Sequence, residues 1–281
     1  MRYQTKKKAG KAIVTLAIIL LGFLFIAPLL WMIVASLKPE TMIFKDMGLA
    51  AFLPKEITFS NYAQILFSDR VHFFHYMWNS LFSVSMIVIF GLIVNSLCAY
   101  ALVKLKFPGS GLILVVIIAL YVVPFESMLI PLYIVVNNFG WINEYPALIV
   151  PFIASAFNIF LFRQFFMGIP QELEEAAMLD GANPWQTFWK IIVPNSKPVF
   201  ATAAILTFVT HWSDFMWPLI VATDESIRTV QVGVQYLFAD NNIEYGQIMA
   251  ALSLTTIPVI LIFLFFQRYY VQGITSSGVK G

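Results

Sequence analysis

The sequence predicts an all-α integral membrane protein with six transmembrane helices. Of its 281 residues, 60% are hydrophobic and only 11% are charged, whereas globular proteins average about 45–50% apolar and about 25% charged residues. The apolar residues are concentrated in six long segments, and a helix needs about 20 of them to cross a bilayer. A soluble core cannot bury this much apolar surface, so lipid must cover much of it.

The predicted spans lie at about 12–36, 77–103, 112–135, 145–166, 198–222 and 247–270. The first follows four lysines between residues 6 and 11, which resembles the start of a signal peptide. Its apolar run exceeds the about 7–15 residues of a signal-peptide core, so we expect an uncleaved first helix. Residues 1–11 then form an N-terminal tail, residues 12–281 form one transmembrane domain, and residues 271–281 are its C-terminal tail.

The distribution of positive charge predicts the orientation. With the N-terminus inside, the inside segments carry 12 of the 17 Lys and Arg residues and the outside segments carry the other 5. Lys and Arg are enriched on the cytoplasmic side of membrane proteins. Both termini, and the polar segment 170–194 between the fourth and fifth spans, are therefore predicted to be cytoplasmic.

Charge and cysteine content exclude several classes of partner. The net charge of +2 gives no reason to expect nucleic-acid binding. Cys98 is the single cysteine, so no internal disulfide can form, and the clustered ligands of a metal site are missing from the sequence. The partner that the composition does predict is the lipid bilayer.

Polar side chains within the predicted spans are candidates for a translocation path. Ionisable groups at membrane depth are costly and tend to face a cavity or a partner. A hydrophilic path would bring Glu126 of the third span near His211 of the fifth, with Asp214 close by. Asn79, Asn95 and Asn158 add uncharged polarity, and Asn79 and Asn158 are the uncharged candidates for the path. The alternative is that these groups lie at the headgroup level and only make structural hydrogen bonds.

The segment 170–194 is predicted to fold as a short helical hairpin. Pro170 suits a first helical position, where its missing N–H costs nothing, and the glutamates that follow favour the positive end of the helix dipole. Gly181 suits a left-handed C-terminal cap. Asn183 and Pro184 then form a cap and a first helical residue. Such a unit is too small for a core of its own, which indicates that it docks onto another protein.

The spacing within this hairpin resembles a known motif. Glu175-Ala176-Ala177 is followed by Gly181, Ile191 and Pro194 at the spacing of the EAA loop in membrane subunits of ABC importers. The resemblance implies that the hairpin couples the chain to a separate ATPase. The residues that carry this role would be Glu172, Glu174, Glu175, Ala176, Ala177, Asp180, Gly181, Ala182, Ile191 and Pro194.

The resemblance extends over almost the whole chain. Asn79-Ser80 in the second span, Lys106-Phe107-Pro108-Gly109 after it, and Trp212-Ser213-Asp214-Phe215 in the fifth are similar to carbohydrate-type permeases. The chain most resembles the smaller, six-span permease of maltose-type sugar importers. This implies a permease that moves a sugar, such as an oligosaccharide, into the cell by alternating access.

The resemblance also implies the partners. They would be a second homologous permease, two ATPase subunits and an extracytoplasmic sugar-binding protein. The sequence itself has no phosphate-binding loop, since Gly10-Lys11 is followed by alanine. We therefore expect a transport subunit that is not an enzyme and binds no cofactor, with ATP and Mg bound by the partner ATPase.

The loop before the last span is the candidate contact for the binding protein, at Asp240, Asn241 and Asn242. Three alternatives remain open. The first is an ABC permease for a non-sugar solute such as polyamine or phosphate, and the second is a gradient-driven secondary transporter acting alone. The third is a membrane enzyme that uses His72 and His75, which are three residues apart.

Overall fold

In the computed structural model the regular elements of the described residues are all helical. The structure describes residues 2–46, 48–67, 71–105, 107–239 and 243–278, and side chains are not described at 2–10, 12, 13 and 268–278. The all-α prediction is confirmed. The α-helices are α1 Arg2–Ser36, α2 Ser60–Phe67, α3 Phe73–Lys104, α4 Ser110–Val122, α5 Phe125–Asn138, α6 Tyr145–Ile149, α7 Ala156–Met167, α8 Glu172–Leu179, α9 Pro184–Thr187, α10 Val193–Asn195, α11 Lys197–Trp212, α12 Met216–Val221, α13 Val230–Phe238 and α14 Tyr245–Gly278.

The helices agree with a chain that crosses a membrane several times. Among the described residues, four helical stretches are long and apolar enough to cross a bilayer, and the number reaches six if each of two bent helix pairs is one span. Short 3-10 turns lie at Glu40–Met42, Gly48–Phe52, Val150–Phe152 and Glu225–Ile227.

Three of the predicted spans are interrupted, and the fourth, predicted over 145–166, consists of α6, a 3-10 turn and α7. The third, predicted as one helix over 112–135, is split into α4 and α5, which meet at 104°. Val123 is extended, with φ −72° and ψ 121°, because a proline at the next position disfavours the helical conformation. The fifth, predicted over 198–222, ends its first helix at Trp212, and α12 follows after Ser213–Phe215.

Residue contacts divide the chain into two compact units. The first unit contains the chain up to Phe74 together with Val234–Ile257, and the second contains His75–Gly233 and the chain from Pro258 onward. The hairpin and all five candidate path residues belong to the second unit.

In the first unit, the loop after α1 is held to two helix ends. The Asn61 amide donates to the carbonyl oxygens of Ser36 and Lys38 at 2.8 and 2.9 Å, which satisfies groups at the C-terminal end of α1. The Glu40 carboxylate accepts from the backbone N–H groups of Tyr245 and Gly246 at 3.0 and 2.7 Å. A carboxylate there favours the positive end of the α14 dipole.

A buried lysine fixes the same loop. Lys38 is almost fully buried, and its ammonium donates to Asp46 Oδ2 and to the Ala51 carbonyl oxygen, both at 3.0 Å. The hydrogen bond and charge of Lys38 lower the pKa of Asp46 below its ordinary value. The loop is therefore held by a buried ion as well as by the two helix ends.

Among the described residues, the second unit contains an apolar core towards the hairpin and another around Trp217. The hairpin core contains Phe162, Phe166, Phe188 and Ile192, all fully buried. Trp217 of α12 is also fully buried and packs against α5 and α6. Its indole N–H donates to the Ala147 carbonyl oxygen at 2.9 Å. These cores position the hairpin and the polar residues between them.

A glycine substitution tests the packing of the first unit. A Cβ at Gly246 would lie 2.7 Å from both the Nδ2 and the Oδ1 atoms of Asn61, so Gly246→Ala must displace an amide that holds two carbonyl groups. We expect a loss of about 1–3 kcal/mol in unfolding free energy, measured by thermal unfolding in detergent. Gly22→Ala is the matched control, because its Cβ meets nothing within 4 Å. Equal stability of the two variants would contradict the described contact.

Candidate functional site

The first arm of the hairpin is α8, which has three glutamates in its first turn and ends in a left-handed glycine. Gly181 has φ 82°. The N–H of Ala182 donates to the Ala177 carbonyl oxygen at 2.9 Å, and the N–H of Gly181 donates to that of Met178 at 3.0 Å. These two bonds are the Schellman pattern, which closes a helix end. The predicted reversal at Gly181 is confirmed.

The second arm begins with a reciprocal cap. Asn183 Oδ1 accepts from the Gln186 N–H at 2.9 Å, and Gln186 Oε1 accepts from the Asn183 N–H at 3.1 Å. Pro184 follows as the first helical residue, as predicted. The arm continues through a π-helical turn at Phe188–Ile192 into α10. Both arms are thus locally well determined.

The base of the hairpin is embedded in the hairpin core. Phe188 and Ile192 are fully buried there against α7 residues such as Phe162 and Phe166. The ring of Tyr100, on α3, lies 5.2 Å from that of Phe188, measured between centroids. Burying an aromatic side chain contributes several kcal/mol, so the second arm is firmly attached to the unit.

Two side chains of α3 make polar contacts with the hairpin. The Lys104 ammonium forms an ion pair with Glu174 Oε1 and donates to the Ile169 carbonyl oxygen at 3.3 Å. The Tyr100 hydroxyl donates to the Pro184 carbonyl oxygen at 3.2 Å. The sequence alone did not single out Tyr100 or Lys104, because nothing local to them shows that they meet a segment some 70 to 80 residues away.

The hairpin exposes several large apolar side chains. Leu179 is 89% exposed and Trp185 is 59% exposed, and Met178, Leu173 and Trp189 are exposed as well. We call these five residues the apolar tip. Large exposed apolar side chains in one short segment are typical of interaction sites. Sequence reasoning stressed the acidic and small residues and missed the apolar ones, although two tryptophans in so short a polar segment were a usable signal.

The predicted coupling residues divide into two groups. Glu174 and Ala177 face inward and are buried, so neither offers a surface for docking. Ala176, in contrast, is exposed. The others are exposed or half-buried, namely Glu172, Glu175, Ala176, Asp180, Gly181, Ala182, Ile191 and Pro194.

Two of the predicted path residues line one cavity. Asn158 and His211 line a space of about 330 Å³ together with Thr207 and other residues of α7 and α11. The Asn158 amide donates to Thr207 Oγ1 at 2.9 Å, whereas its Oδ1 atom is buried without a hydrogen-bond partner. A buried unpaired oxygen is costly.

The other predicted path residues have local roles. Asn79 is fully buried and satisfied, since its amide donates to the Ser226 and Arg228 carbonyl oxygens at 3.0 Å and its oxygen accepts from Tyr145 at 2.7 Å. This agrees with the structural alternative. Asp214 accepts from the Trp217 N–H at 3.4 Å.

Glu126 is exposed in the first turn of α5 and is not among the residues that line the cavity of Asn158. Its approach to His211 stays a prediction. Asp240, Asn241 and Asn242 lie outside the described residues.

Comparison with known proteins assigns the family. The model for binding-protein-dependent transport system inner membrane components matches residues 87–276, which include the hairpin and the cavity. The chain belongs to this family. It is therefore a membrane-embedded component of a transport system, as the resemblance in the sequence implied.

Individual relatives of this transport component match over nearly their full length. This chain is 32% identical over 282 residues to the arabinooligosaccharides transport system permease protein AraQ of Bacillus subtilis, with 100% of both chains covered. It is 33% identical to the trehalose/maltose transport system permease protein MalG of Thermococcus litoralis, over 94% of each chain. A chain of a bacterial ABC transporter involved in the import of the polysaccharide alginate has the same fold, with a TM-score of 0.84, 24% identity, and 94% and 98% of the two chains covered.

The left-handed turn gives a local prediction. A Cβ at Gly181 would meet nothing within 4 Å, so substitutions act only through the backbone. A non-glycine residue in this conformation costs about 1–2 kcal/mol, and asparagine less than alanine. We expect faster hydrogen exchange over residues 172–195 in the order Gly181→Val, Gly181→Ala, Gly181→Asn, read by mass spectrometry. Exchange equal to that of the parent chain in all three would show that the turn is not constrained.

Proposed function

We propose that this chain is a permease subunit of an ATP-driven importer of sugars, such as an oligosaccharide. Support comes from relatives whose names specify arabinooligosaccharides and trehalose or maltose, and from the hairpin, which presents apolar side chains on a rigid base. The observation that carries the proposal is the apolar tip, since exposed apolar side chains in one short segment are typical of interaction sites. The sequence has no phosphate-binding loop, so the energy of ATP must come from a separate subunit.

The hairpin is the docking element for a separate ATPase in this proposal. It lies on the cytoplasmic side, together with both termini. The side chain of Leu179, the most exposed of the apolar tip, would enter the partner, and Glu172 and Glu175 would contact its basic groups. ATP and Mg bind to the partner, so this chain binds no cofactor.

The solute path runs through the cavity of Asn158 and His211. An amide, an imidazole and the hydroxyl of Thr207 supply donors and acceptors of the kind that pair with sugar hydroxyls. Docking of the ATPase would drive alternating access by shifting the balance between two conformations. The complex would also contain a second homologous permease and an extracytoplasmic sugar-binding protein, which Asp240, Asn241 and Asn242 would contact.

The docking role predicts that a charge in the apolar tip uncouples the complex. Leu179→Asp should reduce ATPase recovery with the tagged chain by about tenfold or more, because a buried unpaired carboxylate costs several kcal/mol. Leu179→Met, which keeps an apolar side chain of similar size, is the control. The amount of chain in the membrane should be equal in both. Full ATPase recovery with Leu179→Asp would refute docking through the tip.

The path role predicts a difference between two threonines of α11. Thr207→Val removes a hydroxyl that lines the cavity and accepts from Asn158, and we expect the concentration for half-maximal uptake to rise about tenfold. Thr202→Val is the matched control, because the Thr202 hydroxyl donates to the carbonyl oxygen of Pro198 in its own helix and Thr202 is not among the residues that line this cavity.

The solute class is tested by measuring which solutes stimulate ATP hydrolysis in the complete complex. Stimulation of ATP hydrolysis by an arabinooligosaccharide, maltose, trehalose or lactose, and not by spermidine or phosphate, would support a sugar permease. Stimulation by spermidine or phosphate alone would favour a permease for a non-sugar solute, and uptake without ATP would favour a gradient-driven carrier.

A further inference from the structure

Two residues one helical turn apart on α3 hold the two arms of the hairpin. Tyr100 bonds the second arm through the Pro184 carbonyl oxygen, and Lys104 bonds the first arm through Glu174. Positions i and i+4 lie on the same face of a helix. We infer that α3 is the element that transmits movement of the hairpin to the cavity. Lys104, Glu174 and Asn95 are the residues that position α3 for this role. This inference rests on the proposed function.

The contact with the first arm is a buried ion pair. The side chains of Lys104 and Glu174 are 11% and 6% exposed, and a second ammonium proton is directed to the Ile169 carbonyl oxygen. Separating the two charges would leave each of them buried without compensation, which is strongly unfavourable. The last turn of α3 and the first arm should therefore move together.

The contact with the second arm combines a hydrogen bond with ring packing. The Tyr100 hydroxyl reaches the Pro184 carbonyl oxygen in the first turn of α9, while its ring lies against the buried ring of Phe188. Because both arms are joined to one face of one helix, a rotation of the hairpin as a body must rotate the end of α3 as well.

Further along α3, Asn95 connects the helix to the cavity. Its Oδ1 atom accepts from the N–H of Ser155 at 2.8 Å, and its amide nitrogen donates to the Ile153 carbonyl oxygen at 3.0 Å. Ser155 lines the cavity and caps α7 by accepting from the N–H of Asn158 at 3.3 Å. A shift of α3 would thus be passed to the end of α7 that presents Asn158.

A purely structural role for these contacts makes a different prediction. If they only fasten the hairpin, their loss lowers stability or assembly and leaves the response of the cavity to ATP unchanged. If they transmit movement, their loss leaves an assembled complex in which ATP no longer changes the cavity. A measurement at the cavity itself therefore distinguishes the two roles. A continuous chain of contacts is not by itself evidence that movement is transmitted.

The single cysteine allows that measurement. In a Cys98→Ser background, Thr210→Cys places one thiol at the exposed cavity position Thr210. The labelling rate by a maleimide is followed in the complete membrane complex, with and without ATP and vanadate. We expect a change of about tenfold in the parent complex, within the usual range of allosteric coupling.

The variants decide the inference. Lys104→Met or Glu174→Gln should abolish the ATP-dependent change in complexes that still contain the ATPase. The exchange of charges, Lys104→Glu with Glu174→Lys, should restore it. Lys55→Met is the matched control, because Lys55 is 72% exposed and pairs with Asp46 at 3.4 Å outside the hairpin. A full change in the assembled Lys104→Met complex would overturn the inference.

Asn95 gives an independent test that does not alter the hairpin. In complexes that still contain the ATPase, Asn95→Leu should lose the ATP-dependent change at Thr210→Cys. A retained change in this variant would also overturn the inference. In contrast, no bound ATPase, or no ATP-dependent change, in the parent complex would refute the proposed function itself.

Discussion

Hydrogen bonding of the helix interruptions is the constraint on which the rest of the structure depends. In lipid every freed backbone group must find a partner within the protein. The Asn95 amide supplies two such partners at the interruption before α7, where it bonds the Ile153 carbonyl oxygen and the Ser155 N–H. Asp214 bonds the N–H of Trp217 at the interruption before α12. Polar side chains buried in apolar helices are therefore first of all partners for broken backbone, and the cavity lies where such interruptions leave space.

The hairpin differs from the membrane-spanning helices in that its base is buried and its apolar tip is exposed. Phe188 and Ile192 are anchored in the hairpin core, whereas Leu179 and Trp185 remain largely exposed. A segment held this firmly and yet apolar at its tip is suited to carry force between a partner and the membrane helices. The buried charge of Glu174 belongs to the base, so the acidic first turn of α8 serves both the interior and the surface.

The sequence predicted what local chemistry determines. Gly181 and Asn183 act through the backbone of their own turns, so their roles could be read from neighbouring residues. It could not distinguish buried Glu174 from exposed Glu175, because that depends on Lys104, 70 residues earlier in the chain. For the same reason Asn79 and Asn158 looked alike in the sequence. In the structure, the first has hydrogen-bond partners on both amide atoms, whereas the second lines a cavity and has a buried, unpaired oxygen.

The central claim is that the hairpin joins this transport component to a separate ATPase. The most direct test is purification of the tagged chain in mild detergent, with the stoichiometry of the bound proteins read by mass spectrometry. The account predicts one homologous permease and two copies of an ATPase subunit for each tagged chain. Recovery of the chain alone or as a homo-oligomer, still active in solute transport, would contradict it.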